Sequence, residues 1–147
     1  MPMIDHAGVL DVDAGTVWTV LRRFGGIADW HPVIAKCRIE NDVAESAPGC
    51  IRHLTLADGA VLRERLLALD DANRSFTYRF EEAPLPVDNY HLTVALVPLT
   101  GEARTFIRWT ARFDVQTGHD PAEQVTTIRG LIAGGQDALS QFLLSEG

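Results

Sequence analysis

The sequence predicts an α+β fold, in which a seven-stranded curved antiparallel sheet wraps around one long C-terminal helix and two short helices follow the first strand. Two patterns predict this fold. Between residues 33 and 114, apolar and polar side chains alternate with the period of two that is typical of half-buried strands, whereas the segment from residue 120 onward has helical periodicity. The connections between strands are short, as at residues 57–59, and short connections favour antiparallel pairing of neighbouring strands.

The N-terminal segment predicts one strand and two short helices. We expect the strand at residues 3–10 and the N-cap of the first helix at Asp13, whose carboxylate can accept a hydrogen bond from the first helical turn. Apolar side chains then recur at helical spacing, at Val17, Val20, Leu21 and Phe24. The glycine pair at residues 25–26 is predicted to end this helix. A second short helix or turn is expected at residues 27–32, where His31 precedes a proline and is therefore disfavoured in the helical region.

Period-two alternation predicts the other six strands and assigns their side chains to two faces. We expect these strands at residues 33–41, 49–58, 60–70, 74–82, 89–98 and 104–114. Apolar side chains share the inner face, namely Phe76, Tyr78, Phe80, Ile107, Trp109, Ala111 and Phe113. Arginines share the opposite face and predict a solvated outer surface, namely Arg63, Arg65, Arg79, Arg108 and Arg112.

The C-terminal segment predicts a long amphipathic helix. Asp120, Pro121 and Glu123 supply an N-cap, a first-turn proline and a capping-box acid. The apolar stripe of this helix consists of Val125, Ile128, Ile132, Leu139 and Phe142. Gly134 and Gly135 interrupt the helix, and each glycine costs roughly 1 kcal/mol of helix stability relative to alanine. Either a close contact with the sheet or a kink explains the glycines, or the helix leaves room beneath it for a ligand.

Composition and charge exclude several classes of function. The chain has 147 residues, of which 46% are hydrophobic, and is expected to form a single domain over residues 1–147. Its net charge of −7 does not provide the basic surface that nucleic-acid binding requires, so we expect no nucleic-acid partner. No apolar run approaches the roughly 18 residues of a membrane span, so we expect no membrane insertion. The sequence leaves the formation of a homodimer open.

The start of the chain, the cysteines and the histidines narrow the expectations further. Residues 1–10 contain neither a basic segment nor an apolar segment of an export signal, which favours a cytoplasmic location. Cys37 and Cys50 are expected to be free thiols, as is usual inside cells. The five histidines are scattered without the spacing of metal ligands, and no glycine-rich phosphate loop is present. We therefore expect neither a metal nor a cofactor.

Glu64 is the first candidate for chemistry or ligand contact. In the segment VLRERLLALD, at residues 61–70, the strand period places Glu64 on the same face as Leu62, Leu66 and Ala68. An ionised carboxylate that faces an apolar interior is costly unless a partner satisfies it. Either a ligand or water in a cavity satisfies Glu64, or an internal polar side chain pairs with it for structural reasons. Where desolvation dominates, the pKa of Glu64 is raised, and a nearby protonated His31 opposes that shift.

Five short motifs make the chain similar to a known superfamily. They are VWTVLRRF at residues 17–24, CRIE at 37–40, PGCIR at 48–52, RERLLALDD at 63–71 and NY at 89–90. In order and spacing they resemble the abscisic acid receptor branch of the SRPBCC superfamily and its bacterial polyketide cyclase/dehydrase-like relatives. The resemblance covers nearly the whole chain and implies the helix-grip fold. This superfamily includes START lipid carriers, birch-pollen-allergen-like proteins, receptors and enzymes, so the fold alone does not specify the function.

The resemblance also implies positions around a ligand cavity. Glu64 matches the glutamate that holds polar ligand groups through water in the receptors, and Tyr90 matches a cavity tyrosine. The lysine that clamps the hormone carboxylate in the receptors falls at His31, so an acidic ligand would lack that fixed cation. The receptors' gate is shortened at residues 57–59, and their latch is replaced at residues 85–87. These departures argue against abscisic acid reception.

Two functions of different classes follow from these residues. The first is a carrier or sensor of a small hydrophobic molecule, such as a lipid, a polyketide or a terpenoid, bound between the sheet and the long helix. The alternative is a polyketide cyclase or dehydratase, in which His31 and Glu64 move protons. A third hypothesis makes the loop at residues 81–89 a partner-binding lid. The predicted ligand-binding residues are Trp30, His31, Leu54, Leu56, Leu62, Glu64, Tyr78, Phe80, Leu85, Tyr90, Leu92, Trp109 and Gly135.

Overall fold

The computed structural model describes residues 1–146, which form seven strands, two α-helices and two short 3-10 helices. The strands are β1 (Met3–Leu10), β2 (Ile34–Ile39), β3 (Ile51–Leu56), β4 (Val61–Asp70), β5 (Ser75–Glu82), β6 (Val87–Pro98) and β7 (Thr105–Val115). The α-helices are α1 (Ala14–Leu21) and α2 (Pro121–Glu146), and the 3-10 helices span Phe24–Asp29 and Glu40–Asp42. Each predicted strand is present, so the predicted helix-grip α+β fold is confirmed.

All seven strands belong to one antiparallel sheet, in the order β1-β7-β6-β5-β4-β3-β2. Because β1 pairs with β7, the first and last strands of the chain are neighbours, and the meander runs from there to the edge strand β2. The core lies between the sheet and α2, where the predicted apolar stripe of the helix is buried at Ile128, Ile132 and Leu139. None of the helices within residues 1–146 is both long enough and apolar enough to cross a membrane.

The side chains of the strands point to the predicted faces of the sheet, except in the second half of β4. Ala68 is exposed instead of facing inward, and Leu69 packs against the core. The cause is a β-bulge, since Leu66 pairs with Tyr78 whereas Ala68 pairs with Thr77. The bulge at Leu67 adds one residue to β4, and the side chains beyond it change faces.

The first helix ends earlier than the glycine pair predicts. α1 ends at Leu21, and Gly25 and Gly26 lie within the 3-10 helix that follows it. Asp13 does cap α1, because its Oδ2 accepts a hydrogen bond from the Thr16 backbone N–H at 3.0 Å. The 3-10 helix that follows α1 leads into Trp30 and His31, which therefore lie on the inner side of the sheet just before β2.

The outer face of the sheet is polar, as predicted from the arginines. Arg63 donates to Glu40 at 2.8 Å and 2.9 Å, and Arg65 and Arg79 both donate to Glu81. These ion pairs are partly exposed to solvent, so each contributes little to stability. Most of the arginines on the outer face are thus paired with acids on the same face.

Candidate functional site

A cavity of about 410 Å³ lies between the inner face of the sheet and α2. This volume is within the range of small-molecule sites in proteins, roughly 300 to 1,000 Å³. Strands β3 to β7, the first 3-10 helix, the loop after it and α2 all contribute lining residues. Most of these residues are aliphatic or aromatic. The cavity is therefore a largely apolar space with a few polar side chains in its wall.

The thirteen residues predicted from the sequence all lie in the wall of this one cavity. They are Trp30, His31, Leu54, Leu56, Leu62, Glu64, Tyr78, Phe80, Leu85, Tyr90, Leu92, Trp109 and Gly135. The wall also contains residues that were not predicted, including Arg52, Phe76, Ile128 and Ile132. Because all thirteen predicted residues line one cavity, this cavity is the candidate site. Contact of each residue with a ligand stays a prediction.

Glu64 forms an ion pair with Arg52 inside the protein. The Arg52 Nε donates to Glu64 Oε1 at 2.7 Å, and Arg52 Nη2 lies 2.6 Å from the same oxygen. Arg52 Nη1 donates to the Phe24 carbonyl oxygen at 3.1 Å. Arg52 is 4% exposed and Glu64 is 3% exposed, so both charges are almost fully removed from solvent. Of the two explanations for the inward carboxylate, the internal polar partner is present, and Glu64 also borders the cavity.

Sequence reasoning missed Arg52, although the strand pattern contained a signal for it. In β3, Arg52 has the same parity as Leu54 and Leu56, and therefore the same inward direction. In the register of the sheet, Arg52 lies directly opposite Glu64. Aromatic rings complete its surroundings, since the guanidinium carbon lies 4.1 Å from the Phe24 ring centroid and 5.0 Å from that of Tyr78.

Burial and charge act together on the titratable groups at this end of the cavity. Burial raises the pKa of Glu64, and the Arg52 guanidinium opposes that shift. Arg52, not His31, therefore supplies the positive charge beside the carboxylate. Burial, followed by the charge of Glu64, raises the pKa values of Tyr78 and Tyr90. Both phenols therefore stay protonated near neutral pH.

One oxygen of Glu64 remains available to the cavity. Arg52 Nε donates to Oε1, Nη2 lies beside the same oxygen, and no hydrogen bond within residues 1–146 goes to Oε2. In this described part of the chain, every fully buried side-chain nitrogen or oxygen has a hydrogen-bond partner. Oε2 therefore borders open space, and the open space beside Glu64 is the cavity.

His31 lies at a second position on the wall, against helix α2. A Cβ atom added to Gly135 would lie 3.4 Å from His31 Nε2, which is van der Waals contact, so the imidazole lies directly against this glycine. His31 Nδ1 accepts a hydrogen bond of 3.4 Å from the Val33 backbone N–H, which leaves the proton of the neutral ring on Nε2. Burial, and then the positive charge of Arg52, lowers the pKa of His31. The ring is therefore neutral near neutral pH.

Of the two central glycines of α2, only Gly135 has surroundings that account for the small residue. Gly135 is buried and faces His31 and the cavity, whereas Gly134 is exposed with open space around its α-carbon. Neither glycine marks a close contact with the sheet. The alternative in which the helix leaves room beneath it agrees with the position of Gly135.

The cavity opens to solvent between the start of β2, two loops and the first half of α2. Exposed residues of its wall define this opening, namely Arg23, Val33, Asp58, Pro84, Thr127 and Leu131. The loop after β5 is shorter than predicted, because β5 extends to Glu82 and β6 begins at Val87. Pro84 and Leu85 of this loop line the cavity.

The chain is similar to several proteins of known structure. It has 26% sequence identity and a TM-score of 0.87 to the protein XoxI from Bacillus cereus, over 98% of this chain and 96% of that chain. An uncharacterised protein from Bacillus thuringiensis has 25% identity and a TM-score of 0.86, over 97% and 99% of the two chains. Norcoclaurine synthase from Thalictrum flavum, in complex with dopamine and hydroxybenzaldehyde, has 23% identity and a TM-score of 0.73, over 99% and 88%, and this likeness concerns the fold alone.

A comparison with curated proteins finds no match. The model of one protein family, described as polyketide cyclase / dehydrase and lipid transport, matches residues 3–142. This match covers nearly the whole chain, including every strand and most of α2. Together with the helix-grip fold, it shows that the chain belongs to the polyketide cyclase / dehydrase and lipid transport family of the SRPBCC superfamily.

Proposed function

We propose that the protein is a carrier or sensor that binds a small hydrophobic molecule, such as a lipid, a polyketide or a terpenoid, in the cavity between the sheet and α2. The observation that carries this proposal is the apolar cavity of about 410 Å³, which opens to solvent. Burial of apolar ligand surface in such a space is favourable by roughly 25 cal/mol per Å². Membership in a family of ligand-binding SRPBCC domains supports the same function.

Aromatic side chains would supply most of the contact surface for the ligand. Phe80 and Tyr90 stack at 3.9 Å between ring centroids with an angle of 9° between the ring planes, which makes a flat, rigid wall. Trp109 is held in place by a hydrogen bond of 3.0 Å from its Nε1 to Gln136 Oε1. Fixed aromatic rings bind apolar molecules at a low cost in side-chain entropy.

A panel of lipids, polyketides and terpenoids tests this proposal by thermal shift. A molecule that binds only the folded state raises the midpoint of unfolding, and saturation at 100 times the Kd stabilises the protein by about 2.7 kcal/mol. We expect members of the panel that match the cavity in size to raise the midpoint in a concentration-dependent way. The absence of any shift, together with a crystal structure in which side chains fill this space, would contradict the proposal.

A polyketide cyclase or dehydratase is the second candidate. The family description and the position of His31 and Glu64 in one wall support it. The contacts favour the carrier, because Glu64 is bound to Arg52 and forms no hydrogen bond with His31 in the described residues. The enzyme hypothesis requires that Glu64→Gln retains binding of a polyketone but loses turnover, whereas a carrier leaves the polyketone chemically unchanged. Product analysis by mass spectrometry distinguishes the two functions.

A further inference from the structure

The Arg52–Glu64 pair gives the buried part of the cavity a net charge of zero. Its two members are 4% and 3% exposed, and they lie 2.6 Å apart. His31, which also lies in the wall, and the phenols of Tyr78 and Tyr90 are neutral for the reasons given above. The charged residues Arg23 and Asp58 are exposed at the opening. A bound molecule therefore meets a balanced pair and no unpaired buried charge.

The hydrogen-bonding capacity of this pair is not balanced. Arg52 Nε donates to Glu64 Oε1, Nη2 lies 2.6 Å from the same oxygen, and Nη1 donates to the Phe24 carbonyl. Glu64 Oε2 is an anionic acceptor that borders the cavity with no donor from the described residues. A hydrogen bond to a charged group is stronger than one between neutral groups.

We propose that the Arg52–Glu64 pair makes the cavity selective for uncharged molecules that carry a hydrogen-bond donor, such as a hydroxyl group, which binds to Glu64 Oε2. This inference rests on the proposed function and specifies its class of ligand. A hydroxyl group satisfies the open acceptor without adding charge. Carboxylates and ammonium groups are excluded. The charges of Arg52 and Glu64 already cancel each other, so a charged ligand would add a buried charge that has no partner.

Four probes with the same alkyl chain test this selectivity: decanol, decyl methyl ether, decanoate and decylamine. Trp30 and Trp109 line the cavity, so quenching or enhancement of their fluorescence reports binding near pH 7. We expect decanol to bind at least about tenfold more tightly than decanoate and decylamine, which corresponds to 1.4 kcal/mol. The ether accepts hydrogen bonds but donates none, and we expect it to bind more weakly than decanol by a similar factor.

The variant Glu64→Gln tests whether the pair itself sets the selectivity. It leaves the Arg52 guanidinium without its anion, so decanoate becomes a suitable partner and gains at least about tenfold in affinity. Glu40→Gln is the matched control, because it removes the same charge from a carboxylate that Arg63 binds on the outer face. The control separates the local effect from the change in net charge, and we expect it to leave the order of the four probes unchanged.

The outcomes separate the inference from the function on which it rests. If wild-type protein binds decanoate or decylamine as tightly as decanol, or if both variants change the affinities equally, the selectivity proposal is overturned while binding in the cavity stands. If none of the four probes binds, the proposed function itself is contradicted. The ranking on wild-type protein decides the question even where Glu64→Gln fails to fold.

Discussion

Arg52 and Glu64 place two charges in an apolar interior, and each charge is tolerated because of the other. Strand β3 presents Arg52 and the neighbouring position of β4 presents Glu64, so the register of the sheet brings the two groups together. Removing two charges from water is costly, and their attraction repays this cost only in good geometry. The guanidinium of Arg52 supplies such geometry with one hydrogen bond to Glu64 Oε1 and another to the Phe24 carbonyl.

We predict that Arg52→Met lowers the free energy of unfolding by about 3 to 5 kcal/mol, because it leaves Glu64 buried without its cation. The double variant Arg52→Met/Glu64→Leu should recover most of this loss, since no charge remains buried. Urea denaturation measures both. Arg63→Met is the control on the outer face and should cost less than about 1 kcal/mol. Equal costs for Arg52→Met and Arg63→Met would contradict the role assigned to the buried pair.

His31 predicts a pH dependence of stability. Its pKa in the folded protein lies below the ordinary value of 6.5, so the unfolded chain binds more protons as the pH falls through 6.5. The contribution of the neutral ring is fully present above pH 6.5 and is lost as the pH falls toward the lowered pKa. We expect His31→Gln to flatten the fall in unfolding free energy between about pH 7 and pH 5. Parallel curves for wild type and His31→Gln would contradict this.

At the scale of the elements, α2 forms one wall of the cavity, and its two central glycines have different surroundings. Gly135 faces His31 and the cavity, whereas Gly134 faces open space. The same substitution at these adjacent positions therefore compares an inward with an outward side chain on one helix. Both substitutions remove a glycine from the helix interior and gain helix propensity.

We predict that Gly135→Leu weakens binding of decanol by at least about tenfold, because the added side chain enters the cavity and displaces His31. Gly134→Leu should bind decanol as the wild type does. Titration of tryptophan fluorescence measures the affinities, and circular dichroism checks that both variants keep their helix content. Unchanged affinity in the Gly135 variant would show that the ligand lies elsewhere.

Local sequence pattern predicted the elements well, because the period of alternation depends only on neighbouring residues. The inner faces of β5 and β7 follow directly from Phe76, Tyr78 and Trp109. The bulge at Leu67 was not predicted, since it arises from the pairing of β4 with β5 and not from β4 alone. The early end of α1 has the same kind of cause: the 3-10 helix that follows packs Phe24 into the core.

At the scale of the whole molecule, the cavity results from a sheet that is closed by one helix along only part of its inner face. Alternation and the resemblance to SRPBCC proteins placed thirteen residues on the wall, yet the partner of Glu64 was missed. A charged side chain among apolar neighbours can be recognised from sequence, but which charge lies opposite it depends on strand register. The register between β3 and β4 pairs Arg52 with Glu64, residues that are separated by a hairpin.

The net charge of −7 does not come from the cavity wall, where the charges of Arg23 and Arg52 balance those of Asp58 and Glu64. Most arginines of the outer sheet face are paired with acids, as in Arg63–Glu40 and Arg108–Asp5. Long-range attraction of anions is therefore weak, and apolar contact is the main source of affinity. The molecule as a whole is thus suited to a ligand that is recognised by shape and by a single polar contact.

Native mass spectrometry of the protein purified from its own host tests whether the cavity holds an uncharged apolar molecule. We predict a stoichiometric complex with a small apolar molecule, which denaturing extraction releases and which carries a hydroxyl group and no charge. Protein without such a molecule should form a one-to-one complex when it is incubated with decanol. A protein that is isolated free of any small molecule and also takes up no decanol would show that the cavity does not bind such a ligand.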